Sequence, residues 1–410
     1  MSLLSVDEAR ERILSHFQPV TTEALPLVEC AKRVLAQDID AATDLPLFDN
    51  SSMDGFAVRA ADVATAAAAS PRSLRVVADI PAGSHPTIFL APGEAARIMT
   101  GAQLPDGADA VIPVEDTDFD KRDAGTPAPN EVRILRSAKP GNHVRTRGTD
   151  IRSGDIVLFT GRVLKPQDLG LLAMLGKASV VVYQKPRIAL FSSGDELLPV
   201  NAPLESGKIR DSNSYTLAAL IENAGAIVMR LGVAKDNHES VKALLEKAVE
   251  LKVDLILSSA GVSVGAFDFV KEVIESNGRM DFWRVNMRPG KPLAFGGYRN
   301  IPFIGLPGNP VSAFVGFEVF VRPAIGRLRG AIDEDRPTVR VRCAEQVDSD
   351  GRESYLRAQV RQEAGVYIAR LTGHQGSGNL FSLVQANALL IIPAGVKCVP
   401  AGEEVNAWLL

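Results

Sequence analysis

The chain has 410 residues, of which 46% are hydrophobic and 23% are charged, and its net charge is −4. This length accommodates two to four domains with cores of their own, and the composition is typical of a globular protein rather than a disordered one. The mild acidity disfavours a general nucleic-acid-binding protein, which needs a basic face to neutralise backbone phosphates.

The cysteines and histidines give no sign of a cross-linked or zinc-stabilised fold. Cys30, Cys343 and Cys398 have no CxxC spacing, and the five histidines show no metal-ligand pairing. No apolar run is long enough to cross a bilayer, and the N-terminal segment has acids where a signal peptide would be basic. We therefore expect a cytoplasmic protein that binds neither membrane nor nucleic acid.

The first element along the chain is a predicted amphipathic helix. Ser5 and Glu8 have the spacing of a capping box, and apolar residues recur on one helical face as far as Phe17. A second, shorter helix is predicted from about Glu29 to Leu35.

The patterns further along predict four domains. Residues 46–145 contain short apolar runs separated by Pro, Gly and Asp, which indicates an inserted β-rich domain. Residues 1–45 and 146–177 flank it and would form an extended N-terminal stem domain. Strands alternate with helices over residues 178–330, as in a doubly wound, mostly parallel α/β sheet. Residues 331–410 predict a C-terminal β domain.

One strand end in the α/β domain has the chemistry of a phosphate site. The stretch DLILSSAGVSVGAFD, from Asp254 to Asp268, is an apolar strand followed by a small, glycine-containing turn that ends at a carboxylate. Main-chain N–H groups of the turn, which includes Ser263 and Gly265, can approach an oxyanion, and a helix from Phe267 to Ser276 would follow. Taken alone, the pattern fits an ordinary tight connection about equally well.

Two other strand ends in the same domain have related chemistry. The strand from Arg187 to Phe191 runs into small polar residues and then two acids, namely Ser192, Ser193, Gly194, Asp195 and Glu196. The strand from Ile301 to Leu306 ends at a turn rigidified by Pro307, and Asn309 is predicted to cap the helix that follows. The first N–H groups of that helix, with Ser312 beside them, would favour an anion.

A cationic loop precedes the third of these strands. Prolines stiffen the segment from Asn286 to Gly296, which presents Arg288 and Lys291. Arginine can grip a tetrahedral oxyanion with a planar fork, and lysine supplies a compact charge. Each cation alone would be an ordinary surface charge. Together with the three strand ends, they predict the positive wall of a pocket for phosphate or a similar oxyanion.

Nine motifs, in the same order along the chain, make it similar to the molybdopterin molybdenumtransferases, the insertases also found as the second domain of gephyrin-like proteins. They are DNSSMDGFA, TGAQLPDGADAVI, GNHVRTRGTDIRSGD, SSGDEL, IRDSNSYTL, GVSVGAFDF, RPGKPLAFG, LPGNPVSAF and GHQGSGNLFSL. The match runs from near residue 5 to the C-terminus. The resemblance implies an elongated homodimer that inserts molybdate into adenylylated molybdopterin, releases AMP and uses Mg²⁺. Its expected partners include a molybdopterin adenylyltransferase and acceptor molybdoenzymes.

The resemblance also implies roles for individual residues. The catalytic set is Asp54, Thr100, Glu196, Asp236 and Asp268. The substrate-binding set is Gly194, Asp195, Ser263, Gly265, Arg288, Lys291, Pro307, Asn309, Ser312, Arg357 and Ser377. Among these, Lys291, Ser312, Arg357 and Ser377 match positions that hold the molybdate or line its site. Asp54 and Thr100 match positions of the β-rich domain, which in this family reaches the active site of the other subunit.

The residue types suit the implied chemistry. Molybdate is a tetrahedral dianion, so Lys, Arg, Ser and backbone N–H donors suit it better than a carboxylate. Mg²⁺ prefers hard oxygens, which Asp268, Asp236 and Glu196 could supply, with Asp54 from across the dimer.

Four positions depart from the family pattern. An acid is usual where Ala266 and Thr149 stand, glycine where Ala260 stands, and often lysine where Arg288 stands. The loss of two carboxylates favours an alternative, in which the chain is a non-catalytic carrier that binds the pterin cofactor. A third hypothesis is an adenylyltransferase that acts one step earlier, but the additional β domains and the LPGNP motif disfavour it.

Overall fold

The computed structural model describes residues 3–119, 126–259, 267–332 and 335–410, without the side chains of residues 267, 268, 282 and 283. Two compact units can be distinguished. The first comprises Met1–Gln37, Thr160–Ala173 and Lys177–Leu410, and the second comprises Asp38–Phe159 and Met174–Gly176. The four domain ranges inferred from the sequence stay a prediction.

The helices and strands are as follows. The α-helices are α1 (Val6–Leu14), α2 (Ala60–Val63), α3 (Pro166–Met174), α4 (Asn213–Asn223), α5 (His238–Glu250), α6 (Phe267–Glu275), α7 (Pro310–Gly316), α8 (Arg322–Leu328) and α9 (Leu380–Gln385). The strands are β1 (Thr22–Pro26), β2 (Ile39–Asp40), β3 (Asn50–Ser51), β4 (Gly55–Val58), β5 (Ala67–Ile80), β6 (Glu94–Ile98), β7 (Ala110–Pro113), β8 (Glu131–Arg136), β9 (Val144–Arg145), β10 (Ile156–Leu158), β11 (Ser179–Tyr183), β12 (Arg187–Ser193), β13 (Leu197–Leu198), β14 (Ile209–Arg210), β15 (Ile227–Ala234), β16 (Leu255–Ser259), β17 (Gly278–Arg284), β18 (Met287–Arg288), β19 (Pro292–Tyr298), β20 (Ile301–Leu306), β21 (Thr338–Cys343), β22 (Val347–Asp348), β23 (Glu353–Glu363), β24 (Val366–Leu371), β25 (Ala388–Ile392), β26 (Cys398–Val399) and β27 (Glu404–Leu409).

A six-stranded sheet in the order β15-β12-β16-β20-β19-β17 forms the centre of the first unit. The first four strands pair in parallel, whereas β19 and β17 join antiparallel at one side. Strands β12 and β16 are buried along nearly their whole length because helices cover both faces, which explains the unbroken apolar runs that precede their terminal serines. The doubly wound, mostly parallel α/β prediction is therefore confirmed, while β17 was not predicted.

Each face of this sheet has its own core. On one face, Leu190 and Leu257 pack with residues of α1, α4 and α7. On the other, Phe191 and Ile256 pack with residues of α5 and α6. Side chains alternate between the two faces along a strand. In β12 the even-numbered residues therefore face α4, and in β16 the odd-numbered residues do.

The C-terminal segment forms a closed β structure, which confirms the predicted β domain. Its sheet runs β18-β23-β24-β21-β27-β25, and an additional pairing of β23 with β25 joins the two sides. Closure leaves few free backbone groups at strand edges. The short helix α9, between β24 and β25, was not predicted.

The second unit contains a five-stranded sheet in the order β7-β4-β6-β5-β8. Phe56 and Val58 contribute to the core on one face, and Ala57 to the core on the other. The short apolar runs of the sequence thus form the strands expected of a β-rich domain. None of the helices in the described parts of the chain combines the length and apolarity that spanning a bilayer requires.

The predicted N-terminal amphipathic helix is confirmed, but the helix predicted over residues 29–35 is wrong. Ser5 Oγ accepts a hydrogen bond of 3.1 Å from the Glu8 N–H at the start of α1. Residues 29–35 do not form a helix, because Lys32 adopts φ of 63° and the following backbone bonds to distant segments. The Leu35 N–H, for example, donates to the Arg162 carbonyl at 2.9 Å, and tertiary pairing overrides the local preference.

A buried ion network stabilises the helical run that follows β20. The Glu318 side chain is fully buried and accepts hydrogen bonds from Arg322 Nε at 2.6 Å and from an Arg336 amino group at 2.7 Å. Burial acts to raise the pKa of Glu318, but the hydrogen bonds from Arg336 and Arg322 outweigh it, so the pKa is lowered. The carboxylate therefore stays charged inside the core.

Removing this carboxylate should destabilise the first unit strongly. Glu318→Ala leaves two arginines without their partner, and we expect a loss of about 3–5 kcal/mol in urea unfolding. Because the folded pKa lies below the unfolded one, the wild-type contribution is present above pH ~4 and is lost as the pH falls further. The control is Glu8→Ala, which breaks the exposed pair with Arg12 and should cost at most about 1 kcal/mol. Equal losses in the two variants would contradict this assignment.

Candidate functional site

A cavity of about 390 Å³ lies at the carboxyl ends of β12, β16 and β20. Five residues predicted from the sequence line it: Gly194, Glu196, Pro307, Asn309 and Ser312. Because parallel strands end at the same edge of a sheet, three chain segments that are far apart in sequence meet here. The convergence expected from the strand-end motifs is therefore present.

Asn213, the first residue of α4, ties two of these segments together. Its Nδ2 donates to Ser259 Oγ at 2.7 Å and to the Gly308 carbonyl at 2.8 Å. Ser259 ends β16, and Gly308 belongs to the loop between β20 and α7. This side chain was missed by sequence reasoning, although it lies in the IRDSNSYTL motif.

Gly194 has a backbone conformation that residues with a side chain rarely adopt. Its φ is 146°, in the range that favours glycine, and a Cβ there would collide with the Glu196 carboxylate. The turn after β12 therefore folds the carboxylate back over its own backbone. This explains why glycine precedes the two acids.

The cationic loop contacts the start of α7. A Cβ placed on Gly290 would lie 3.5 Å from the Ser312 carbonyl, so the backbone just before Lys291 approaches that helix closely. The Val311 N–H donates to the Ser377 carbonyl at 3.0 Å. The structure thus brings the segments of Lys291, Ser312 and Ser377 together.

The start of α7 differs in detail from the prediction. Asn309 lies at the N-cap position and Pro310 is the first helical residue, as expected, but the Asn309 side chain makes no capping hydrogen bond. The Val311 N–H is also taken by Ser377, so it is not available to an anion. The backbone at the start of α7 therefore offers an anion fewer donors than the sequence suggested.

Arg357 is fully buried and holds the 374–378 loop in place. Its guanidinium donates to Ser382 Oγ at 2.9 Å and to the carbonyls of three loop residues, namely His374, Gln375 and Gly376, at 3.0–3.3 Å. Burial, and then the charge of Arg288, lower the pKa of Arg357 to about 10. Arg357 therefore determines the position of the loop that contains Ser377, and its contact with a substrate stays a prediction.

Three carboxylates gather at the other side of the β12 turn. The Asp236 N–H donates to Asp195 Oδ1 at 3.2 Å. Burial, followed by the negative charges of Asp195 and Glu196, raises the pKa of Asp236. Asp236 Oδ1 is buried and has no hydrogen-bond partner among the described residues. Such an arrangement favours either a bound cation or a proton on Asp236.

Asp268 lies in the first turn of α6, but its side chain is outside the description. The first turns of α5 and α6 pack together, because the rings of His238 and Phe269 lie 5.0 Å apart and His238 pairs with Glu272. The backbone of Asp268 is therefore on the same side as Asp236. Within the described ranges, no three His, Cys, Asp or Glu side chains are close enough to hold a metal ion.

Several predicted residues fall outside the described part of the chain. They are Ser263 and Gly265 of the predicted phosphate turn, together with Ala260 and Ala266, two of the departures from the family pattern. Their roles stay predictions.

In the second unit, the structure brings Asp54 and Thr100 together. Asp54 Oδ1 accepts hydrogen bonds from both the N–H and the hydroxyl of Thr100, each at 2.7 Å. Gly101, which follows, has φ of 80° and allows the turn. The pair therefore stabilises this turn, and its predicted catalytic role stays a prediction.

Family models match three consecutive parts of the chain. They are described as the MoeA N-terminal region (domain I and II) over residues 4–176, a probable molybdopterin binding domain over residues 189–327, and the MoeA C-terminal region (domain IV) over residues 340–410. These matches define the class: a multidomain protein of molybdenum-cofactor biosynthesis with an α/β domain of the molybdopterin-binding type.

Relatives with assigned functions match nearly the whole chain. The molybdopterin molybdenumtransferase of a Nostoc species is 39% identical, over 94% of this chain and 88% of that protein. Molybdopterin molybdenumtransferase 2 of Mycobacterium tuberculosis is 38% identical, over 98% and 99%. The crystal structure of the molybdopterin biosynthesis moeA protein from Pyrococcus horikoshii OT3 aligns over 100% of both chains, with 31% identity and a TM-score of 0.84. The chain belongs to the molybdopterin molybdenumtransferase family.

The raised pKa of Asp236 predicts that its charge destabilises the fold near neutral pH. A carboxyl group whose folded pKa is raised stabilises the fold at low pH, and this contribution is lost as the pH rises. Asp236→Asn should therefore raise the thermal unfolding midpoint at pH 7 in the absence of divalent cations. The gain should shrink towards pH 4.

Asp168 provides a control of opposite sign in the first unit. Burial would raise the pKa of Asp168, but hydrogen bonds from Arg162 and Lys165 outweigh it and the pKa is lowered. Asp168→Asn should therefore lower the midpoint at pH 7. A lower midpoint for Asp236→Asn as well would contradict the assignment.

Proposed function

We propose that this enzyme inserts molybdenum from molybdate into adenylylated molybdopterin, with release of AMP and dependence on Mg²⁺. The observation that carries the proposal is the cavity at the carboxyl ends of β12, β16 and β20. Pro292, next to Lys291 of the cationic loop, and Glu196, one of the three carboxylates, both line it. The family assignment supports it, because curated relatives that match nearly the whole chain are molybdopterin molybdenumtransferases.

Molybdate binds on the cationic side. Lys291 supplies a positive charge, and the hydroxyls of Ser312 and Ser377 supply neutral donors around the same backbone junction. Arg288 adds a second charge and interacts electrostatically with Arg357. A dianion placed there would reduce the repulsion between these two arginines, which favours its binding.

Asp236, Glu196 and Asp268 would hold the magnesium ion. Asp268, on α6, is needed for this set, because the described side chains alone do not form a three-ligand site. The fit rests on the buried, unpartnered Asp236 Oδ1 and on the mutual repulsion that raises the pKa of this group. When bound, Mg²⁺ would neutralise negative charge on the phosphoanhydride. The carboxylates themselves would position the cation, which in turn orients the phosphoanhydride.

The β-rich second unit acts in the site of a partner subunit. Asp54 and Thr100 form a rigid turn within each chain, because both Thr100 donors bond to one carboxylate oxygen. In a homodimer, this turn would reach the site of the other subunit. Such a turn can present a carboxylate to a cation without large rearrangement. We place the enzyme in the cytoplasm, where a molybdopterin adenylyltransferase supplies the substrate and molybdoenzymes accept the product.

A carrier function is the second candidate. Ala266 and Thr149 stand where acids are usual, and a site with fewer carboxylates could bind the pterin without turning it over. An adenylyltransferase is the third candidate. It is disfavoured because the match extends over the N- and C-terminal regions as well as the α/β domain.

One assay separates the three functions. Purified protein is incubated with adenylylated molybdopterin, Mg²⁺ and molybdate, and AMP release is measured. Molybdate-dependent release supports the insertase, whereas tight pterin binding without release supports the carrier. Consumption of ATP with unadenylylated molybdopterin would support the adenylyltransferase.

Lys291→Ala should weaken the use of molybdate specifically. We expect the molybdate concentration for half-maximal AMP release to rise by roughly tenfold to a hundredfold, because a charge-assisted contact contributes about 1.5–3 kcal/mol. The control, Lys242→Ala, removes an exposed charge from α5 and should leave this concentration unchanged. Equal effects in the two variants would remove Lys291 from the site.

Asp268→Asn should impair the magnesium-dependent step. We expect turnover to fall by roughly 10²-fold to 10³-fold, the range for losing one electrostatic stabiliser, and the rise in unfolding midpoint on adding Mg²⁺ to shrink. Glu275→Gln, at the other end of α6, should preserve both readouts. An unchanged magnesium-induced shift in Asp268→Asn would exclude it as a ligand.

A further inference from the structure

One polar side chain of the cavity has no role in the arrangement described so far. Ser192, near the end of β12, is 1% exposed and lines the cavity. Its hydroxyl is buried and has no hydrogen-bond partner among the described residues. An unpaired buried hydroxyl costs free energy, so a site that retains one is suited to a ligand that pairs with it.

The sheet register shows which way Ser192 faces. Ser192 is the register partner of Ser259 on the adjacent parallel strand, so the two side chains lie on the same face. This is the face covered by α4, because Ser259 Oγ accepts a hydrogen bond from Asn213 Nδ2. Ser192, Ser259 and Asn213 therefore form one polar row, which we call the serine row.

Asn213 contributes an acceptor to this row. Its two amide hydrogens are donated to Ser259 Oγ and to the Gly308 carbonyl. Because the Gly308 carbonyl can only accept, the Asn213 atom that faces it must be the nitrogen. Asn213 Oδ1 is left without a donor in the described part of the chain, and the residue lines the cavity. An acceptor in this position repels anions and favours a ligand that carries N–H groups.

The charges nearby point the same way. Glu196, Arg210 and Asp211 all line this cavity, so the charges near the start of α4 are mixed and include no excess of positive charge. Asp211 is buried and accepts a hydrogen bond of 3.0 Å from the Ser214 N–H, which holds the start of α4 in place. A molybdate dianion gains no net electrostatic attraction here, whereas an uncharged heterocycle with amino and N–H groups can donate to Asn213 Oδ1.

We propose that Ser192 and Asn213 bind the uncharged aminopyrimidinone edge of the pterin. This assignment deepens the proposed function and rests on it. The amide oxygen of Asn213 accepts from an N–H group of the ring, and the Ser192 hydroxyl donates to or accepts from a neighbouring ring atom. Recognition of the ring is thus separated from recognition of the oxyanion, which takes place around Lys291.

Ser192→Ala tests the proposal with a minimal change. We expect the Kd for molybdopterin to rise by roughly threefold to tenfold, as for one lost neutral hydrogen bond, while the affinity for molybdate stays unchanged. The thermal unfolding midpoint should stay the same or rise, since the hydroxyl has no partner without ligand. A residue with a merely structural role would lower it.

Ser258→Ala is the matched control. Ser258 is equally buried, its hydroxyl also has no partner among the described residues, and it lies one residue before Ser259, on the opposite face of the sheet. We expect this variant to bind molybdopterin as tightly as the wild type. Asn213→Ala should weaken binding further than Ser192→Ala, because it also releases the Gly308 loop.

The outcomes are distinguishable from a failure of the proposed function. If the wild type binds molybdopterin and Ser192→Ala binds it equally well, the ring-recognition assignment is overturned and the insertase proposal stands. Weaker binding of molybdate rather than of molybdopterin would also overturn it. If the wild type itself binds no molybdopterin, the proposed function and this inference fail together.

Discussion

Parallel pairing of four strands is the constraint on which the candidate site depends. Strands β15, β12, β16 and β20 end at one edge of the sheet, and polar segments follow β15, β12 and β20. Residues separated by more than a hundred positions, such as Ser192 and Ser312, line one cavity for that reason. Backbone N–H groups at this edge need hydrogen-bond partners. One of them, the Val311 N–H at the start of α7, donates to the Ser377 carbonyl of the C-terminal loop.

The site separates opposite charges, and each charge has a structural support. Arg288 and Arg357 interact unfavourably on one side, and Asp195, Glu196 and Asp236 do so on the other. Both repulsions would be relieved by ligands of opposite sign, a dianion and a divalent cation. Stability is sacrificed locally for binding, a common feature of functional sites. The buried Glu318 network shows the alternative, in which two arginines and one carboxylate satisfy each other within the chain.

Local signals made much of the fold predictable. Apolar strands, turns rich in Gly and Pro, and the Ser5 cap were readable because they depend on neighbours in sequence. The features that were missed depend on distant contacts. Val34 and Leu35 bridge to Val163 and Val182 instead of forming a helix. Asn213 joins the end of β16, 46 residues away, to a loop 95 residues away. Arg357 bonds to a loop 17–19 residues further on. The C-terminal sheet likewise closes because β23 pairs with both β24 and β25. The alternation of apolar and polar residues along a strand cannot reveal which strands pair.

A crystal structure of the protein with molybdopterin, molybdate and Mg²⁺ tests the central claim most directly. We predict pterin density in the cavity at the ends of β12 and β16, with an oxyanion beside Lys291 and Ser312 and a cation beside Asp236. Density for the pterin and the oxyanion at a different place on the first unit, with this cavity filled only by water, would contradict the account.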